Sequence, residues 1–551
     1  MCVSTRAALL GALLSLGFGC AKAVLIDGSD PTGGSSKGGS TGTGGSSETG
    51  GSTGTGGSSE TGGSTGTGGN VSGTGGRVST GGSTGTGGRA TGGSNGTGGS
   101  STGGSTGTGG TGTSCTFTQS STPSTKIPTV GIVTWSTTLS SPTSASIKFG
   151  LDTNYGMTAP LTSVTSSNRT LLLGMKASKM YHYQITATNS SGTCTSGDYT
   201  IMTGALPNGG ALPTIPPTTN NKAALWGGFL VVGSYMGSTN QSFILDADGD
   251  FVWWYADGSD GCGTRMSYDG QYMWINNGNV PGTNPSTTHV HRVTMDGLTD
   301  TDFSTPFANM SHQVTPLPDG SVAFYAYNTN TCDDIKIFPA NGTPTTTATT
   351  LVNSRAAHGG TAACHVNNIE YSSMDDTLVF SDLDNGCLTK VSRTTGATVW
   401  ILNGGANGIK SSFTGDVWKG GEHGFHILGL DDFVIFNNNS AMDPTGGGSL
   451  AGDNSGSLAI EMKLNLTAMT ATKSWSYKAS PAISVGVLGD VQRMTTAGPS
   501  GAGNGNTIVN FGTGDIIQEI DSNGTVLQQF KSQYPVGFME KRATLYGPPT
   551  R

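Results

Sequence analysis

Three histidines open runs in which polar and apolar residues alternate: His312 in SHQVTPL, His365 in CHVNNIEY and His423 in EHGFHILGL. An imidazole ionises close to physiological pH, so it can take and return a proton or a transferred group under mild conditions. Asn367, two residues after His365, lies on the same side of an extended strand and adds a hydrogen-bonding amide. A single histidine at a strand end is ordinarily a satisfied polar residue. Three at matching places in a repeat, with cations at the corresponding places elsewhere, point to one shared site. Three histidines could also bind zinc, which needs three or four ligands near ~2 Å. Arg265, Arg493 and Arg542 (or Lys541), which occupy the corresponding strands of other repeats, suit an anionic substrate better than a cation. His182, between Tyr181 and Tyr183 on a strand, reads as structural, and His289 and His291 in HVHRV belong to a third strand away from the other histidines.

The elements that would hold these residues recur from Ala223 onward. Each unit is an opening strand, a turn, an apolar second strand and two further strands joined by an Asn/Asp/Gly turn. Opening strands are expected from Arg265, His312, His365, His423 and Val491, followed by second strands YMWINN, SVAFYAY, TLVFSDL, FVIFNNN and TIVNFG. Residues 227–256 supply a second, third and fourth strand without a first, and EKRATLYG at 540–547 supplies the missing one. The chain is therefore expected to be all-β, with a six-bladed β-propeller over 222–547 closed by its own C-terminal strand. First strands line the channel of a propeller, so equivalent repeat positions converge in space. Cys262, Cys332, Cys364 and Cys387 fall in loops of the same face and are candidates for disulfides there. DADGD at 246–250 reads as a hairpin turn before it reads as a calcium loop.

Residues 114–205 carry short strands separated by polar turns and resemble a fibronectin type III β-sandwich, with Cys115 and Cys194 placed to staple its first and last strands. A Pro-rich connector spans 206–221. Ahead of these lies a Gly/Ser/Thr-rich linker, 21–113, in which GGSTGTGG recurs; with almost nothing to bury it is expected to be disordered. Residues 1–20 read as a secretory signal, too short to span a bilayer, and Cys20 resembles a lipoprotein acylation site, the alternative being a cleaved signal with an incidental cysteine. Six cysteines remain after Cys2 and Cys20, an even set that suits disulfides outside the cytoplasm. A formal charge of −8 and the lack of a basic cluster argue against nucleic acid as a partner.

Over 223–547 the chain resembles the bacterial arylsulfate sulfotransferase (arylsulfotransferase) family. The resemblance is carried by ILDADGDFVWWY, SHQVTPLPDGS, CHVNNIEYSSMDDTLVFSDL, LTKVSRTTGATVWILNGG, EHGFHIL with FVIFNNN, and GDVQRM with GNGNTIVNFG. It implies a propeller of the bacterial envelope that moves a sulfuryl group from a phenolic sulfate ester to another phenol through a sulfated histidine, with neither a nucleotide sulfate donor nor another cofactor. The nucleophile falls on His423, the His-x-Asn pair on His365 and Asn367, and the histidine before LPDG on His312. Two positions depart from the family pattern. Leu383 stands where arginine is frequent, leaving Arg265, Arg493, Arg542 or Lys419 to supply positive charge, and Glu422 replaces the usual glutamine before the nucleophile.

The residue types suit this chemistry on their own terms. A neutral imidazole can accept the sulfuryl group, release the first phenol and pass the group on. His312, His365, Asn367 and a cation would stabilise the sulfuryl oxygens and the departing phenolate. A non-catalytic propeller binding surface glycans or peptides, and a zinc hydrolase, are the other readings the residues allow. Membrane contact is expected only through a lipid anchor.

Overall fold

The computed structural model describes residues 105–107 and 115–550, except 162, 209–210, 235–240, 257–262, 278–287, 329–331, 361–363, 404–407, 417, 420 and 440–451. The expected signal, Cys20, Cys262 and all of the Gly-rich linker but Ser105–Gly107 lie outside the described residues.

Residues 115–204 form two antiparallel sheets. One runs in the order Ser105–Gly107, Cys115–Pro123, Gly131–Thr137, Asn168–Leu172; the other runs Met157–Leu161, Ser144–Gly150, Met180–Asn189, Gly192–Thr195, with Tyr199–Met202 also paired to Met180–Asn189. Alternate residues of Met180–Asn189 are buried, the period expected when one face of a strand meets a core. Phe117, Trp135, Ile147, Phe149, Tyr183 and Ile185 fill that core. The Cys115–Cys194 disulfide joins the two sheets, as the spacing of their strands suggested.

Six further sheets follow among the described residues; five hold four consecutive strands in sequence order, some with one more at the edge, and the sixth takes its inner strand from the far end of the sequence. Neighbouring innermost strands touch in turn from Gly263–Met266 through Thr315–Pro316, Val366–Ser372, Glu422–Gly429 and Asp490–Arg493 to Val536–Arg542, which returns to the first. This closed ring is a β-propeller. Closure is by sequence ends: Val536–Arg542 pairs antiparallel with Phe229–Ser234 and completes the N-terminal sheet. The second strands are buried along nearly their whole length, because sheets pack on both of their faces.

Two expectations about elements change. The Pro-rich connector contributes Pro217–Thr219 as an outer strand against Val526–Lys531, and an edge position is where a proline without an N–H can join a sheet. The closing strand begins at Val536 rather than Glu540, Arg265 is the third residue of its strand rather than the opener, and the strand expected from Val491 begins at Asp490 and ends at Arg493. Nothing in an alternating run marks its first residue, so its length was underestimated at one end.

The sandwich packs directly on the propeller. Ile127, Val130 and Leu173 share a core with Val231, Val252, Trp253 and Met273. Tyr546 accepts the Leu173 N–H at 2.7 Å and donates to the Leu171 carbonyl at 2.9 Å. DADGD is a hairpin turn whose Asp246, Asp248 and Asp250 surround the Lys176 ammonium of the sandwich at 2.6–3.1 Å.

Candidate functional site

At one end of the channel four of the second strands finish in, or are followed by, a polar residue that braces the start of an inner strand. Asn276 Nδ2 donates to the His312 carbonyl at 2.6 Å, Asn438 Nδ2 to the Leu488 carbonyl at 2.9 Å, and Asn510 Nδ2 to the Gly537 carbonyl at 2.5 Å. Asp382 Oδ1 accepts the backbone N–H of His365 at 3.0 Å. These braces fix the backbone from which the histidines project. His312 itself has φ +54°, a strained geometry for a residue with a side chain, which the brace holds in place.

His312, His365 and His423 come together here. The His312 ring centroid is 5.1 Å from that of His365 and 6.3 Å from that of His423. Nδ1 of His312 lies 2.6 Å from Ser311 Oγ, and Nδ1 of His423 lies 2.5 Å from Asn438 Oδ1. Nε2 of His365 is enclosed with no hydrogen-bond partner. Burial lowers the pKa of all three imidazoles: His423 to about 3, His365 to about 4, and His312 well below its ordinary value, where the other two rings add to the effect. The cluster is therefore neutral near pH 7. Asn367 sits one strand position on; its Nδ2 donates to the Glu422 carbonyl at 2.7 Å while its Oδ1 has no partner, so it ties the His365 strand to the His423 strand.

The cations expected beside the histidines are elsewhere. Arg265 is one layer deeper in the channel, donating to Gln313 Oε1 at 3.0 Å and the Met539 carbonyl at 2.6 Å, with the Glu370 and Asp490 carboxylates each 3.8 Å away. Arg493 is ion-paired with Glu461 and lies over the Trp475 ring, 4.3 Å from its centroid. Arg542 is fully buried against Glu540 at 2.8 Å, and Lys541 lies 3.7 Å from Glu519. The cause is strand phase. Arg493 pairs with Thr507 and Arg542 with Phe229, each the first residue of its second strand, whereas Asp490 pairs with Asn510 at the histidine end. Gly263, His312, His365, His423, Asp490 and Phe538 are the residues at the level of the site; the Phe538 ring centroid is 6.2 Å from that of His312. Lys419 is exposed, and Leu383 packs so closely on Gly421 that its Cδ1 lies 2.1 Å from where a Cβ would stand.

Sequence reasoning passed over Asn438, Trp418, Asp382 and His358. The recurrence of Asn at second-strand ends, in WINN, IFNNN and IVNF, was the available signal for the first. His358 is a buried histidine whose Nδ1 accepts the Gly360 N–H at 3.0 Å and whose Nε2–H therefore donates to Asp382 Oδ2, also at 3.0 Å. With Cys364 it forms a group of potential metal ligands within 4.8 Å of one another. Cys364 is joined to Cys332 and the His358 lone pair is engaged by an N–H, so this group is a hydrogen-bonded support behind His365. Among the described residues, the three channel histidines do not form a ligand set of that compactness. Cys387 is a buried free thiol, while His182 and His291 are held by Asp198 at 2.6 Å and Asp300 at 2.8 Å.

No curated protein matches the chain. Among solved structures it is similar to TolB from Acinetobacter baumannii, with 12% identity, 67% of this chain and 80% of that chain covered and a TM-score of 0.36. It is also similar to the Cps50 (Swd1) β-propeller domain of Myceliophteria thermophila, with 11% identity, coverage of 61% and 89% and a TM-score of 0.34. Residues 335–536, which include His365, Asn367 and His423, match the family model for arylsulfotransferase (ASST). Over that part of its propeller the chain is thus similar to the arylsulfotransferase (ASST) family.

Proposed function

We propose that this protein is an aryl sulfotransferase that moves a sulfuryl group from a phenolic sulfate ester to a phenol acceptor, with His423 as the covalent carrier. The observation that supports this reading is the meeting of three buried, neutral imidazoles at one channel mouth, two of which, His365 and His423, belong to the family-matched region. The His423 lone pair forms an N–S bond as the S–O bond to the donor breaks, and the bonding pair leaves on the phenolate oxygen. The acceptor oxygen then attacks sulfur, the N–S pair returns to His423, and the acceptor proton passes to the departing phenolate through His312 or His365. Their ring N–H groups stabilise the sulfuryl oxygens in a site from which water is largely excluded. No nucleotide or metal takes part in these steps.

Two disulfides support an oxidising, exported setting. There a lipid on Cys20 and the Gly-rich tether would hold a fibronectin type III-like module and a six-bladed propeller at the cell envelope.

The test uses the full chain, a chromogenic aryl sulfate and a phenol. Phenol-dependent release of the chromophore is expected, and it should fall at least about 10³-fold in His423→Ala, with ~10²-fold losses in His312→Ala and His365→Ala. Turnover that survives in His423→Ala would overturn the carrier assignment. Glycan or peptide binding with no turnover of any aryl sulfate would instead identify a surface-binding propeller, a reading that the engaged cations and Leu383 favour.

A further inference from the structure

His423 lies at the seam between two sheets of the propeller, and its partner there is Asn438, the residue after strand Asp432–Asn437. Asn438 Nδ2 is 3.0 Å from the Val485 carbonyl and 2.9 Å from the Leu488 carbonyl, while Oδ1 is 2.5 Å from His423 Nδ1. Carbonyl oxygens only accept hydrogen bonds, so the two of them determine which end of the amide is NH₂. The atom facing the imidazole is oxygen, which cannot donate. Nδ1 of His423 therefore carries the hydrogen, and the lone pair is at Nε2. The surroundings hold the amide in place. Ser457 Oγ donates to the Asn438 carbonyl at 3.0 Å, and Leu488, at φ +58°, is followed by Gly489, whose carbonyl accepts the Gly424 N–H at 2.9 Å.

We propose that Asn438 is a positioning residue that fixes the Nδ1–H tautomer of His423 and so keeps the Nε2 lone pair available for attack on sulfur. The proposal rests on the reading of His423 as the sulfuryl carrier. Nδ1 keeps its hydrogen through both transfers, because an amide oxygen does not take a proton, and the amide dipole stabilises the imidazolium charge of the sulfated state. A neutral partner also matters. A carboxylate at this place would favour the doubly protonated ring, which has no lone pair to attack with. Burial holds the His423 pKa down at about 3, against the hydrogen bond to Asn438, which raises it.

Nitrogen-15 NMR of the full chain labelled at histidine reads the tautomer of resting His423, assigned by its loss in His423→Ala. The expected wild-type state is Nδ1–H. Asn438→Leu should lose that preference and lower kcat about 10²-fold with little change in KM. Asn438→Asp should keep Nδ1–H yet raise the pH at which His423 titrates, moving the acidic limb of kcat/KM up by at least about one pH unit. An Nε2–H tautomer in the wild type, or an Asn438→Leu protein with unchanged tautomer and kcat, would overturn the proposal. If Asn438→Leu does not fold, the wild-type tautomer and the Asn438→Asp titration still decide it. Failure of the two readings is distinguishable: an Nδ1–H ring in a protein without phenol-dependent turnover sinks the sulfotransferase reading and leaves the tautomer assignment standing.

Discussion

Glu422 immediately precedes His423, with Oε2 accepting the Trp418 indole N–H at 3.1 Å and Oε1 enclosed without a partner. Burial raises its pKa to about 8, so at pH 7 the carboxyl is mostly neutral and resembles the glutamine that the family usually has there. On the proposed sulfuryl-transfer reading, a negative charge beside the transferred group is thereby avoided without a cation to offset it. The raised value also carries a stability consequence. Between the unfolded pKa of 4.5 and the folded pKa of about 8 the native state binds the extra proton, so stability falls as pH rises through that window. Glu422→Gln should remove this dependence and raise stability at pH 7 by roughly 3 kcal/mol, at about 1.4 kcal/mol per pH unit over the part of the window below pH 7. Denaturant unfolding at pH 5 and pH 8 checks it; a variant that gains no more at pH 8 than at pH 5 would refute the neutral-carboxyl assignment. At this scale the histidines were legible in the sequence because each opens an alternating run. Glu422 was legible as a departure but not in its charge state, which depends on burial that no local pattern encodes.

The strands place these residues, and the loops between sheets hold the strands in register. Cys332 precedes the third strand of one sheet and Cys364 precedes the inner strand of the next, directly before His365, so their disulfide ties two sheets at the site. The sequence separation of 32 residues corresponds to about 3–4 kcal/mol of unfolded-state entropy. Replacing both cysteines with serine should cost a stability of that order and raise KM for the aryl sulfate, because His365 loses one of its supports while Asp382 still holds its N–H. Thermal unfolding with parallel kinetics tests this, and an unchanged melting temperature would count against a structural role. The order of the four main strands in each propeller sheet was legible from turns and alternation, whereas the added edge strand Pro217–Thr219 was not. Their phase was not, and the error fell on the arginine-bearing strands. A glycine at 263 and an aspartate at 490 occupy the histidine level, and neither residue type announces a channel-lining position, whereas arginine attracts notice wherever it stands. The supporting amides were hidden for a related reason, since an Asn at a strand end reads as turn chemistry until its partner on another sheet is known.

The ring as a whole depends on a contact between the two ends of the propeller. Val536–Arg542 is at once the partner of Phe229–Ser234 and the inner strand that touches Gly263–Met266 and Asp490–Arg493. Its removal would leave the Phe229–Ser234 edge unpaired, take the buried Phe538 and Met539 out of the channel, and strand Glu519, whose nearest cation is Lys541. Asp490 would suffer as well, because its Oδ2 accepts the Met539 N–H at 3.0 Å and it borders the His423 strand at Gly424. The site is therefore coupled to closure even though no residue of the last strand belongs to the histidine cluster. The segment after that strand carries Tyr546, whose hydroxyl bonds the sandwich backbone, so the same terminus joins closure to docking of the preceding module. A chain ending at Tyr534 is expected to lose cooperative unfolding and phenol-dependent turnover together, and a synthetic peptide of residues 535–551 should restore part of both by adding the missing strand. Circular dichroism on heating, with the chromogenic assay run alongside, reads both properties. A truncated chain that melts cooperatively and still turns over would show that five complete sheets and a three-stranded one with an open edge suffice, and the closed ring would then be a scaffold rather than a condition for the site.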